Sequence, residues 1–133
     1  MSVMGLKIYA GRTFHLPTPP AMKPHLWVAM TEPDGTPEET VIVNLTTRHP
    51  NSDTTVILDS GDHRFIKHET VVNYADALFT KIVSVQNAIK NGLSSFDDDC
   101  SSALLERIQI GLLQSPFTPK KIKSHCKKCF GGF

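Results

Sequence analysis

VIVNLTTRHPNSDTTVILDSGDHRFIKHETVVNY, residues Val41 to Tyr74, is the stretch around which the chain is organised. Its first run, Thr40–Leu45 (TVIVNL), is β-branched and almost wholly apolar, as a strand covered on both faces should be. Thr54–Leu58 (TTVIL) and Thr70–Tyr74 (TVVNY) read as two further strands. Arg48–Asp53 is a loop. Asp59–Asp62 is a turn, in which Ser60-Gly61 permits positive φ and Asp62 can cap a backbone amide. The polar connections hold three of the six histidines (His49, His63 and His68), the pair Thr46-Thr47 and the turn Gly61-Asp62-His63-Arg64.

Upstream, Leu6–Phe14 alternates as a short strand does. Leu16–Pro24 has four prolines in nine residues. Proline lacks an amide donor and fixes φ, so this segment reads as an extended loop rather than a helix or central strand. His25–Met30 is the next strand, and Glu32–Glu39, with Pro-Asp-Gly at its centre, is a turn-rich loop. Downstream, Ala77–Val83 reads as a strand and Ser84–Asn91 as a short helix, with Ser84 as its N-cap and Gly92 as its stop. Leu93–Cys100 is a polar loop whose three aspartates form a solvated approach to the next helix. In Ser102–Gln114 the residues Leu104, Leu105, Ile108 and Leu112 form an apolar helical stripe, and Gly111 marks either close packing or an early end. Six or seven closely spaced strands followed by helices point to a mainly β (α+β) fold, a small barrel or sandwich.

A length of 133 residues suits one domain. We place that domain at residues 1–118, with Pro116 and Pro119 closing it and residues 119–133 as a basic, flexible tail. The tail holds five lysines and no acid, so nine of the 14 basic residues face 13 acids in the remainder. An acidic body of this kind lacks the basic face of a duplex binder. No run reaches the roughly 18–20 apolar residues of a membrane span. The N-terminus shows no signal-peptide pattern, which places the expected compartment in the cytoplasm. The three cysteines make a poor disulfide framework and agree with a reducing environment. His125, Cys126 and Cys129 form at most half of a zinc site, so no metal and no cofactor is expected.

There is no Gly-x-Ser-x-Gly elbow and no phosphate-binding glycine loop. What remains is a histidine and hydroxyl set. Metal-free RNA cleavage needs a base for the 2′-hydroxyl, an acid for the leaving oxygen, and donors for the charge that develops on phosphorus. Histidine can fill the first two roles. His25, Thr46, Thr47, Arg48, His63 and Lys67 fall at strand ends or in adjoining loops, where a barrel can gather them, with Arg64 and His68 beside them. The competing structural reading makes His25 a part-buried strand residue, His63 the group that satisfies a turn, and His68 a surface residue.

The segments PHLWVAMTEP, TVIVNLTT, TTVIL and FIKHETVVNYADALFTKI, in that order, resemble the MazF/PemK toxin endoribonucleases over roughly residues 23–92. Lys23-Pro24 stands at that family's Arg-Pro, Thr46-Thr47 at its Thr-Ser pair, and Ile66–Val72 at its last motif. The resemblance implies an SH3-like barrel and a homodimer that cleaves single-stranded RNA and is restrained by an antitoxin protein. It makes Lys23 and Thr46 the catalytic pair, with Thr47 as the alternate register. The chain departs from the family in having lysine where arginine is usual, Gly11-Arg12 far upstream, and the proline-rich loop. Lysine lacks arginine's bidentate fork. The expected site therefore comprises Lys23, Thr46, His25 and His63 as catalytic groups. Thr47, Arg48, Arg64, Lys67 and His68 are the expected RNA contacts. The alternative function is a non-catalytic SH3-like barrel that binds a protein partner or nucleic acid.

Overall fold

The structure, a computed structural model, describes residues 3–18 and 22–131. Six antiparallel strands form one curled sheet: β1 (Thr13–Thr18), β2 (Lys23–Ala29), β3 (Glu39–Thr47), β4 (Ile57–Leu58), β5 (Thr70–Lys81) and β6 (Ser95–Asp97). Their order across the sheet is β4-β5-β3-β2-β1-β6. Three helices follow or interrupt the strands: α1 (Ile82–Lys90), α2 (Ser102–Gln114) and α3 (Lys120–Cys129). The fold is thus mainly β (α+β), with a barrel-like sheet and accompanying helices, as the strand spacing indicated.

The almost wholly apolar run in β3 is explained by two cores, one on each face of the sheet. On one face Leu26, Val28, Val41, Val43, Leu45 and Val72 pack against Leu104, Ile108 and Leu112 of α2 and against Ile122 and Cys126 of α3. On the other, Trp27, Ala29 and Ile42 pack with Phe14 and with Ile82 and Val85 of α1. Alternate residues of β2 and β3 enter opposite cores because side chains alternate across a strand.

Several local expectations change once partners are supplied. Residues 7–12 are not a strand, since Gly11 adopts φ +93° and turns the chain before β1 begins at Thr13. Part of the proline-rich segment is strand: Pro17 and Pro24 face each other across β1 and β2. β6 pairs only with residues 13–15 of β1, so Pro17 lies on an unpaired edge, where a missing amide costs nothing. Pro19, Pro20 and Ala21 lie outside the described residues. The two strands read at 70–74 and 77–83 merge into one strand, β5, which ends at Lys81 with Ile82 and Val83 already in α1, and which bulges between Asn73 and Leu78 opposite Ile42–Asn44. Asp76 in that bulge accepts from the side-chain amides of Asn73 (2.9 Å) and Asn44 (3.4 Å). β4 is two residues long, and β6 forms inside the expected polar loop because β1 offers it an edge.

Ser84 lies within α1 rather than at its cap, which is Lys81. Helix α2 is capped by Ser101, whose hydroxyl accepts from the Leu104 amide at 3.1 Å. Gly111 marks close packing: a methyl group there would overlap the Tyr74 hydroxyl and the Val56 side chain. The expected flexible tail carries α3, and Pro119 caps it. Proline at a helix start loses no hydrogen bond, because amides there are unpaired anyway. Ile122 and Cys126, four residues apart, share the buried side of α3, while Lys120, Lys121, Lys127 and Lys128 stay exposed. No helix among the described residues is long and apolar enough to cross a membrane.

Candidate functional site

The β2–β3 ladder stops at Leu26–Leu45. β1 stays with β2 as far as Thr18–Lys23, and β3 stays with β5 as far as Thr47–Thr70. The two strand pairs therefore splay apart beyond Leu26 and Leu45, and a cleft of about 530 Å³ opens between them. Lys23, Pro24 and His25 form its β2 wall, and Thr46, Thr47 and His49 form its β3 wall. The segment Phe65–His68 closes it, with Ile66 buried beneath. Six of the nine expected site residues (Lys23, His25, Thr46, Thr47, Lys67 and His68) thus line one cleft.

The charge of that lining is one-sided. It contains Lys23, Lys67, His25, His49 and His68 and no acidic residue, although the body of the protein is acidic. Among the described residues, neither lysine forms an ion pair and neither the Thr46 nor the Thr47 hydroxyl forms a hydrogen bond. The His25 ring is oriented by its own strand: Nδ1 donates to the Lys23 carbonyl at 3.1 Å. A carbonyl can only accept, so in the neutral ring the proton sits on Nδ1 and the Nε2 lone pair is left as a base.

The other three expected residues are engaged elsewhere. His63 is buried; its Nδ1 accepts from the Phe65 amide at 3.0 Å and its Nε2 donates to the Asp98 carbonyl at 2.7 Å. With both nitrogens occupied by backbone partners, it satisfies a turn and ties that turn to the end of β6. Arg64 follows the same route, binding Asp97 at 2.6 Å and Asp98 at 3.3 Å. Arg48 forms a 2.6 Å pair with Glu69 beside the cleft and borders a second hollow of about 460 Å³ that shares Thr47, His49 and His68 with the first.

Asp97 is the centre of the link between β6 and the turn after β4. His15 Nε2 lies 2.7 Å from its second oxygen, and the Asp98 amide donates to its first at 2.7 Å. Desolvation alone would raise its pKa; the Asp98 amide, His15 and Arg64 outweigh it and pull the carboxyl down to about 2.

Sequence reasoning assigned His49 and Phe65 no role in the site. His49 follows Thr46 by three residues and projects from the same strand end. Phe65 is a part-exposed ring in an otherwise polar loop and meets His15 edge-on at 5.0 Å. An aromatic residue next to Arg64 in a loop that also carries His63, Lys67 and His68 was the available signal. Burial raises the thiols of Cys100 and Cys126 to about 12, and Cys129 lies with its Sγ 3.4 Å from His125 Nε2.

The chain matches no family model, no curated protein and no solved structure.

Proposed function

We propose that the cleft binds single-stranded RNA and cleaves it without a metal. The observation that carries this reading is the convergence of two lysines, three histidines and two free hydroxyls, with no acid, where two strand pairs splay. An acid-free cationic cleft on an acidic body attracts phosphate locally without a broad duplex-binding face. His25 Nε2 is placed to take the proton of a 2′-hydroxyl, whose oxygen then attacks the adjacent phosphorus. Lys23, Lys67 and the threonine hydroxyls offset the charge that gathers on the phosphoryl oxygens. His49 or His68 returns a proton to the departing 5′-oxygen; His63, an expected catalytic group, has both ring nitrogens engaged with backbone. The products are a 2′,3′-cyclic phosphate and a free 5′-hydroxyl. The toxin, antitoxin and homodimer settings rest on the sequence resemblance alone.

The test is incubation of the purified protein with a panel of RNA oligonucleotides in EDTA. Cleavage with a 2′,3′-cyclic phosphate end supports the proposal, and intact RNA across the panel with folded protein overturns it. A second reading, binding without turnover, is favoured by the full engagement of His63 with backbone and by lysine rather than arginine at position 23. RNA binding that survives His25→Ala and Thr46→Ala, with no cleavage by the parent protein, would select it.

A further inference from the structure

Behind Thr46 lies a third hollow, of about 320 Å³, bounded by His49, Asn51, Ser52, Asp53, Val71 and Asn73. It shares Thr46 and His49 with the cationic cleft, and His49 borders all three hollows. Its chemistry is the reverse of the cleft's. Asp53 is held ionised: desolvation opposes this, but the hydroxyl and amide of Thr55 and the hydroxyl of Ser115 donate to it at 2.6, 2.9 and 2.7 Å and lower its pKa. A fixed negative charge repels phosphate. The side-chain amide of Asn51 is exposed and makes no hydrogen bond among the described residues. Asn73 gives one amide hydrogen to Asp76 at 2.9 Å, which orients the group and leaves its other hydrogen and its oxygen available.

We infer that this hollow reads one base of a single strand whose phosphate lies in the cationic cleft. The inference rests on the proposed RNA-binding function and adds to it the element of base selection. Two adjoining compartments of opposite character sort the two parts of a nucleotide. The acid-free cleft takes the phosphate, and the amide-lined hollow beside an anion takes the uncharged base. The Asp53 charge favours a base edge rich in N–H donors, and paired amides supply the directional contacts that discriminate bases. The favoured bases are those with an exocyclic amino group, namely adenine, cytosine or guanine, over uracil.

The test uses 2′-O-methyl oligonucleotides, which lack the attacking hydroxyl and so report binding alone. Affinity for an all-uridine strand is compared by fluorescence anisotropy with strands carrying a single A, C or G. At least one substituted strand binds about tenfold more tightly, near the lower end of the range for hydrogen-bonded base discrimination. Asn51→Ala and Asn73→Ala, each checked for folding by circular dichroism, reduce that ratio towards one. Lys23→Ala instead weakens every strand together and keeps the ratio. Equal affinity for all strands, or a preference unchanged in both asparagine variants, overturns the base-reading inference while leaving the RNA-binding function standing. Absence of binding to any strand overturns both.

Discussion

His25 and His63 differ by one lone pair. Each ring hydrogen-bonds to backbone, but His25 spends only its Nδ1 proton, on Lys23, whereas His63 spends both nitrogens, on Phe65 and Asp98. The difference separates a group that can take a proton from one that holds a turn in place. His25→Ala should lower RNA cleavage by about 10²–10⁴-fold, the usual range for a lost acid–base group, with an unchanged denaturation midpoint. His63→Ala should do the opposite. It removes the hydrogen bonds to the Phe65 amide and the Asp98 carbonyl and costs about 1–3 kcal/mol of stability. Its cleavage rate per folded molecule should stay close to the parent's. Cleavage assays beside urea titrations check both, and a catalytic loss in His63→Ala without a stability loss would reverse the assignment. Both histidines were visible in the sequence as candidates. Their roles were not, because a tautomer is set by partners 2 and 35 residues away.

At the scale of elements, α2 seats itself on the sheet through one close approach. Tyr74 of β5 donates its hydroxyl to the Ile108 carbonyl at 2.7 Å, and Gly111 leaves the room for it. Gly111→Ala should therefore destabilise the protein by about 1–3 kcal/mol through overpacking, even though alanine is the better helix former. Adding Tyr74→Phe removes the overlapping oxygen and should recover part of that loss in a denaturant titration. Additive losses would show that the two sites do not meet. The helical stripe of α2 was legible because a period of 3.6 residues needs no partner to be seen. β6 and α3 were not. Three residues including Ser95 and Asp97 become a strand only because β1 presents an edge, and a lysine-rich tail becomes a packed helix only because Ile122 and Cys126 find the core.

Across the whole molecule, the sheet's two edges, β4 and β6, are linked by side chains rather than by a strand ladder among the described residues. His63 and Arg64, from the turn after β4, reach Asp97 and Asp98, and His15 of β1 joins them. Asp97 makes this link pH-dependent. Its carboxyl titrates near 4 when unfolded and at about 2 when folded. The stability it contributes is therefore complete above about pH 4 and is lost as pH falls through about 2. Asp97→Asn should lower the urea midpoint at pH 6 and flatten its decline between pH 4 and 2. An equally steep decline in the variant would place the acid sensitivity elsewhere.

The sequence alone determined the fold class, because strand alternation, an almost wholly apolar central run and the α2 stripe are local patterns that any partner would have to satisfy. It also marked Lys23, His25, Thr46, Thr47, Lys67 and His68 as strand-end residues of suitable chemistry. The tertiary structure decided which of them meet. The β2–β3 ladder ends at Leu26–Leu45 while the flanking ladders continue, and that splay is a property of three ladders, and so of four strands, at once. It also drew Arg64 and His63 away to Asp97 and Asp98, some 33 to 35 residues along the chain. A sequence shows which groups are available; pairing register and long-range hydrogen bonds determine which of them are left free to react.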